Sequence, residues 1–177
     1  MEGKVEIKMF SVIVCLVFSC SLSHAEIKIE NLKGIPNAVL LNQDVVGGGT
    51  PGKSDLSEAQ NQGFKTVIDL RAPEEGIGEE KEVVEKMQMK YINIPVESDS
   101  LSFEQADRLN EILSRPESTP AILHCASGNR VAALWALYQK KYAGLSSDKA
   151  YDLGLEKGLR SENMKETTRR ILNEEKS

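Results

Sequence analysis

Two short runs without polar alternation limit what this chain can become: Thr66-Val67-Ile68-Asp69-Leu70 and Ala121-Ile122-Leu123-His124-Cys125. A strand with one wet face alternates apolar and polar residues; these do not, so each suits a strand covered on both sides. Further extended segments are expected around 27–29, 39–46 and 91–96, the last closed by Pro95. Helical segments fall between them. Ser54 is a cap for a helix over 55–62 stopped by Gly63, and another helix is expected near 79–89 after a polar loop at 72–78. Ser102-Phe103-Glu104-Gln105 is a capping box for a helix to about residue 114. Residues 131–142 read as an apolar helix ended by Gly144, in which Trp135 and Tyr138 are core residues. Two more helices are expected over 147–157 and 162–173. Strands alternating with helices predict an α/β fold, a parallel-type central sheet with helices on both faces. Ligands of such sheets bind at the carboxyl ends of strands. Cys125 stands at one.

The first 25 residues read as a targeting segment. Lys4 and Lys8 precede an apolar run at 9–18, and Ser23-His24-Ala25 fits the small-x-small pattern of a signal peptidase site. The run is short for a bilayer span, which takes about 20 residues. Cleavage as a lipoprotein before Cys20 is the competing reading, disfavoured by the bulky Phe18. The expected organisation is a signal peptide over 1–25 and one catalytic domain over 26–177, exported to the periplasm or beyond.

Counting then removes much of the catalytic menu. Residues 1–25 hold two Lys and two Glu, so the remainder keeps the net charge of −5. An acidic surface argues against nucleic acid or anionic membrane as a bulk partner. Past residue 25 the chain has one cysteine, Cys125, and one histidine, His124. A single cysteine makes no internal disulfide, and an adjacent His-Cys pair builds no tetrahedral zinc site. Neighbouring strand residues point to opposite faces, so His124 does not serve Cys125 as a base of the Cys-His protease kind.

What remains is the segment His124-Cys125-Ala126-Ser127-Gly128-Asn129-Arg130. It joins a buried strand to a helix through small residues. Its amides can point inward as an anion cradle, Gly128 permits a left-handed turn, and the helix N-terminus adds positive potential. Arg130 can return a guanidinium fork to two oxygens of a tetrahedral anion. The same field favours Cys125 as thiolate. A nucleophile under an oxyanion cradle outlines phosphoryl transfer.

At these residues the chain resembles the cysteine-dependent protein tyrosine and dual-specificity phosphatase superfamily, and within it the bacterial phosphatase-like domain also found attached to beta-lactamase-hydrolase-like proteins. The resemblance runs over roughly 39–172 and includes Gly48-Gly49-Thr50-Pro51, residues 63–71, residues 91–96 and the loop itself. It implies a cysteine phosphatase-like fold and hydrolysis of phosphomonoesters, on proteins or small molecules, through a phosphocysteine. It implies Cys125 as nucleophile, Arg130 as phosphate clamp, His124 as the residue that tunes the thiolate, and Ala126, Ser127, Gly128 and Asn129 as phosphate binders through their amides. No cofactor and no metal is required.

Two features depart from the phosphatase pattern. Four residues separate Cys125 from Arg130 where the signature has five, a spacing that also matches the tighter loop of rhodanese sulfurtransferases. Val131 stands where a Ser or Thr normally helps the thiolate leave. A rhodanese-like transfer through a Cys125 persulfide and a catalytically weak anion-binding module are therefore the competing readings. By resemblance the general acid follows the 91–96 strand, which gives Asp99 first and Glu97 second. Asp69 and Arg71, at the end of the neighbouring strand, brace the loop, add charge to the pocket or form a surface ion pair.

Overall fold

The computed structural model describes residues 27–97 and 99–174. The expected signal segment, with Cys15, Cys20 and His24, lies outside them. Five strands form one sheet in the order β1-β2-β5-β3-β4. Val45–Gly48 (β2), Thr66–Asp69 (β3), Lys90–Asn93 (β4) and Ala121–His124 (β5) run parallel, and Val39–Asn42 (β1) pairs antiparallel with β2. The 39–46 segment is thus a hairpin turning at Gln43-Asp44 rather than one strand. The extended segment expected near 27–29 is instead a single 3-10 turn, Ile29–Asn31.

Among the described residues there are six α-helices: Lys53–Asn61 (α1), Gly78–Lys86 (α2), Phe103–Leu113 (α3), Asn129–Ala143 (α4), Ser147–Glu156 (α5) and Glu162–Glu174 (α6). Helix α1 starts at Gly52, not Ser54, because the Asp55 carboxylate turns back to accept from the Gly52 amide at 3.0 Å. The Ser102 capping box forms as the sequence indicates, with Gln105 Oε1 accepting from the Ser102 amide at 2.6 Å.

The two doubly buried runs occupy the middle of the sheet. Residues of β5 alternate between its faces. Ala121, Leu123 and Cys125 pack with α3–α6, while Ile122 joins Val46, Val67, Leu56, Ala59 and Val84 on the side of α1 and α2. Trp135 is fully buried and stacks on Tyr138 with ring centroids 4.9 Å apart, which makes this pair core. The hydrophobic effect fixes α4 over the sheet through seven successive buried residues, Val131 to Leu137. That packing aims the N-terminus of α4 at the end of β5. No helix among the described residues is long and apolar enough to cross a membrane.

Candidate active site

Cys125 follows the last residue of β5 and is 1% exposed. The backbone that comes after it is tied from outside. Thr50 Oγ1 donates to Cys125 O at 3.2 Å, the Thr50 amide to Ala126 O at 3.4 Å, and Asn37 Nδ2 to Ser127 O at 3.0 Å. In a planar trans peptide, C=O and N–H point opposite ways. Holding these three carbonyls outward therefore turns the amides of Ala126, Ser127 and Gly128 inward. The Gly128 amide shows the result, donating to Cys125 Sγ at 3.1 Å. Gly128 is the N-cap of α4 at φ +91°, a left-handed conformation that other residues adopt at a cost. Gly49 is equally constrained, since a Cβ there would lie 2.9 Å from Ala126 O. The glycine run at 47–49 is thus a close-approach brace for the loop.

Asn129 fastens the loop to the segment before α6. Its Oδ1 accepts from the amides of Arg160 and Ser161 at 2.7 and 2.8 Å, and its Nδ2 donates to Ser127 Oγ at 3.2 Å. Arg130 follows in the first turn of α4. Its guanidinium is held charged chiefly by a hydrogen bond to Glu75, against burial, with attraction to and hydrogen bonding with Cys125 adding to the effect.

Glu75 was not visible in the sequence. It sits in a single 3-10 turn, Pro73–Glu75, after β3. Arg130 Nη1 donates to Glu75 Oε2 at 2.6 Å and Nη2 to Oε1 at 2.7 Å. Nη1 also reaches the carbonyls of Leu70 and Val96, at 3.4 and 3.3 Å. Glu75 thereby takes the end of the fork. The side edge, Nε with the second Nη2 proton, is the one left for a bidentate anion. The Glu75 carboxyl is lowered to about 2, mainly by the Arg130 hydrogen bond, with burial opposing and the Ala72 amide assisting.

Asp69 and Arg71 do not enter the anion pocket. They form a buried network on the opposite face. Arg71 Nε contacts both Asp69 oxygens at 3.0 and 3.1 Å, and Nη2 lies 2.8 Å from both Asp69 Oδ2 and Glu80 Oε2. Tyr91 donates its hydroxyl to Asp69 Oδ2 at 2.7 Å. Burial alone would raise the Asp69 carboxyl; hydrogen bonds from Arg71, the charge of His124 and the Tyr91 hydroxyl outweigh it and hold it below its ordinary value. His124 lies in this network, with Nε2 2.7 Å from Glu80 Oε1. Asp69, Glu80 and His124 bring three potential metal donors within 4.8 Å. Both Asp69 oxygens, however, are already occupied by Arg71 and Tyr91, and Arg71 supplies the cation. The Asp69 share of the donor set is thus taken up by Arg71 and Tyr91.

The two acid candidates part company. Glu97 lines a cavity with Ser127, Asn129, Arg130, Ser161 and Met164. Asp99 is exposed and lines a different cavity, with Leu101, Phe103 and α6 residues. The structure sets the second sequence candidate at the mouth of the site and the first outside it. The Ser100 hydroxyl accepts from the Glu97 amide at 3.0 Å and closes this turn.

A thiol beneath inward amides at the end of a parallel strand, with an arginine in the first turn of the next helix, is the arrangement of a cysteine-dependent phosphatase of the tyrosine and dual-specificity kind. The family model described as DSP-PTPase phosphatase fused to NAD+ kinase matches residues 33–176, and the chain belongs to that family. No curated protein matches the chain by sequence. Among solved structures, the DUF442 protein of Shewanella putrefaciens CN-32 aligns with TM-score 0.68 at 20% identity, over 84% of this chain and 98% of that one. TpbA of P. aeruginosa aligns with TM-score 0.65 at 15% identity, over 78% and 84%. The core catalytic domain of the PP-IP phosphatase SIW14 of S. cerevisiae gives 0.61 at 17% identity, over 76% and 85%. These likenesses establish the shared fold. The family decides for phosphoryl over sulfur transfer, so the chain is a phosphoric monoester hydrolase.

Proposed function

We propose that Cys125 is the nucleophile of a phosphomonoester hydrolase whose phosphoryl acceptor is the thiolate itself. The observation that carries this reading is the Gly128 amide on Cys125 Sγ, with the charge of Arg130 favoured by attraction to the same sulfur. The dianionic phosphate seats on the amides of residues 126–129 and on the free side edge of Arg130. The thiolate attacks phosphorus, an S–P bond forms, and the P–O ester bond breaks. The leaving oxygen takes a proton from the Glu97 carboxyl. Water then attacks the phosphocysteine, the S–P bond breaks, Glu97 recovers a proton from that water, and inorganic phosphate leaves. Glu97 has precedence over Asp99 because it shares the cavity of Arg130. Amides and guanidinium together balance the charge of the transferring group. The substrate is a phosphorylated protein or a small phosphoester.

The test is hydrolysis of para-nitrophenyl phosphate in EDTA. Turnover abolished by Cys125→Ser, with a trapped phosphocysteine in the unaltered chain, supports the assignment; EDTA-resistant turnover that survives Cys125→Ser overturns it. Val131 is 1% exposed beside the nucleophile and offers no hydroxyl to the departing sulfur, which makes breakdown of the phosphocysteine the slow step. The basic start, apolar run and Ser23-His24-Ala25 pattern further support export with cleavage after Ala25. Amino-terminal sequencing of the periplasmic fraction tests that; a product that retains residues 1–25 in the cytoplasm rejects it.

A further inference from the structure

The loop that carries Glu75 sends a second carboxylate to the catalytic strand. Glu80, in the first turn of α2, places Oε1 2.7 Å from His124 Nε2 and Oε2 2.8 Å from Arg71 Nη2. The two side chains are 9% and 0% exposed. We propose that Glu80 is a positioning residue for the nucleophile: by holding the His124 ring against its carboxylate, it fixes the place of the residue joined directly to Cys125.

The surroundings leave His124 little else to hold. Neither ring nitrogen makes a well-aligned hydrogen bond among the described residues, and the next polar atom facing Nε2 is Asp69 Oδ1 at 3.8 Å. Asp69 is committed to Arg71 and Tyr91. On the β2 side of β5, the residue opposite His124 is Gly48, which brings no side chain. The groups that face the ring are therefore Asp69 and Arg71 from the end of β3, Tyr91 through Asp69, and Glu80 from α2. Two carboxylates against one guanidinium leave one negative charge where the Arg71 and Glu80 side chains are only 10% and 9% exposed. Buried charges that stay unbalanced are strongly disfavoured. The His124 ring, with Nε2 2.7 Å from Glu80 Oε1, is the neighbour nearest to that charge.

Glu80 cannot touch a substrate in the Cys125 pocket. Strand alternation puts His124 on the α1–α2 face and Cys125 on the other, so Glu80 acts through His124 alone. One segment, residues 72–80, then holds both ends of the catalytic loop: Glu80 at His124 before the cysteine, Glu75 at Arg130 after it. The two carboxylates flank Gly76 and Gly78.

The inference rests on Cys125 being the reactive thiol, but its test does not need turnover. The rate at which iodoacetamide alkylates Cys125 is measured at pH 6 and pH 8.5 in the full chain, in Glu80→Gln, in Glu80→Asp, and in the control Glu82→Gln. Glu82 is exposed on the same helix. Loss of a negative charge alone would favour the thiolate and speed alkylation. Loss of the hold on His124 loosens the residue that precedes Cys125 and reverses that sign. The expected result is alkylation at least threefold slower at pH 6 in Glu80→Gln, a smaller change at pH 8.5, partial recovery in Glu80→Asp and none lost in Glu82→Gln. With para-nitrophenyl phosphate, kcat falls about tenfold and KM stays within twofold. A folded Glu80→Gln protein alkylated as fast as the parent, or faster, overturns the proposal. If Glu80→Gln does not fold, the imidazole spectrum decides. The chain has two histidines, and His24→Ala leaves the His124 ring alone. A ring signal that moves between the His24→Ala protein and its Glu80→Asp derivative supports the proposal, and one that stays unchanged overturns it. Absence of para-nitrophenyl phosphate turnover with the alkylation pattern intact would instead count against the hydrolase reading.

Discussion

Removing the charge of Glu75 tests how the fork of Arg130 is held. In the structure Glu75 occupies both terminal nitrogens of Arg130, at 2.6 and 2.7 Å. Two opposite outcomes follow from two roles. If Glu75 orients the guanidinium, Glu75→Gln lets the fork swing and weakens the clamp. If Glu75 competes with phosphate, the same change frees the clamp and tightens it. The geometry favours the first, because the side edge of the guanidinium remains open. The carboxyl is lowered from an ordinary 4.5 to about 2 by its pairing with Arg130. At face value that shift is worth about 3 kcal/mol. About a third of the Glu75 side chain meets water, so screening reduces the pair to roughly 1 kcal/mol. An orienting contact of about that size, lost in the transition state, lowers kcat/KM about five- to tenfold. The assay is para-nitrophenyl phosphate hydrolysis with phosphate as competitive inhibitor. Glu75→Gln should lower kcat/KM by that factor and weaken inhibition by phosphate. Because the folded carboxyl is depressed, its stabilising share is complete above about pH 4.5 and is lost as pH falls towards 2. The melting-temperature gap between parent and Glu75→Gln should be flat above pH 5 and close below it. Undiminished kcat/KM together with tighter phosphate inhibition would refute the orienting role.

The remaining sites make sharper, smaller claims. Cys125→Ser should lose more than a thousandfold in kcat while still binding phosphate, read by isothermal titration; retained turnover removes the nucleophile. Glu97→Gln should cost at least tenfold on an alkyl phosphate and far less on para-nitrophenyl phosphate, whose leaving group needs no proton, whereas Asp99→Asn should leave both rates unchanged. The reverse pattern would restore Asp99 as the acid. Val131→Thr should enlarge steady-state kcat several-fold and leave the pre-steady-state burst rate alone, at a stability cost of about 1–2 kcal/mol for a hydroxyl in the core. An unchanged kcat would show that phosphocysteine breakdown is not the slow step.

Local chemistry made much of the molecule legible in one dimension. Uninterrupted apolar runs marked β3 and β5, the Ser102 capping box marked the start of α3, and a small-residue loop between a strand and an apolar helix marked Cys125 and Arg130. Each signal is carried by neighbours within a few residues, so backbone sterics and hydrogen bonding decide it without the rest of the chain. Boundaries were less secure where side chains compete, as when Asp55 moved the start of α1 from Ser54 to Gly52.

Other features exist only in the folded chain. That β5 lies between β2 and β3 brings Gly48 and Asp69 to either side of His124. Glu75 and Glu80 belong to an acidic stretch with no pattern of its own, yet one reaches Arg130 and the other His124, partners 55 and 44 positions away. Glu97 and Asp99 differ by two residues in the sequence and by a whole cavity in space. The sequence by itself determined the cysteine at the strand end, the small-residue loop after it and the layered fold around them. Tertiary structure alone decided which carboxylates hold that loop and which one stands at its mouth, because charge pairing is chosen by through-space distance and desolvation, and neither is written in the order of residues.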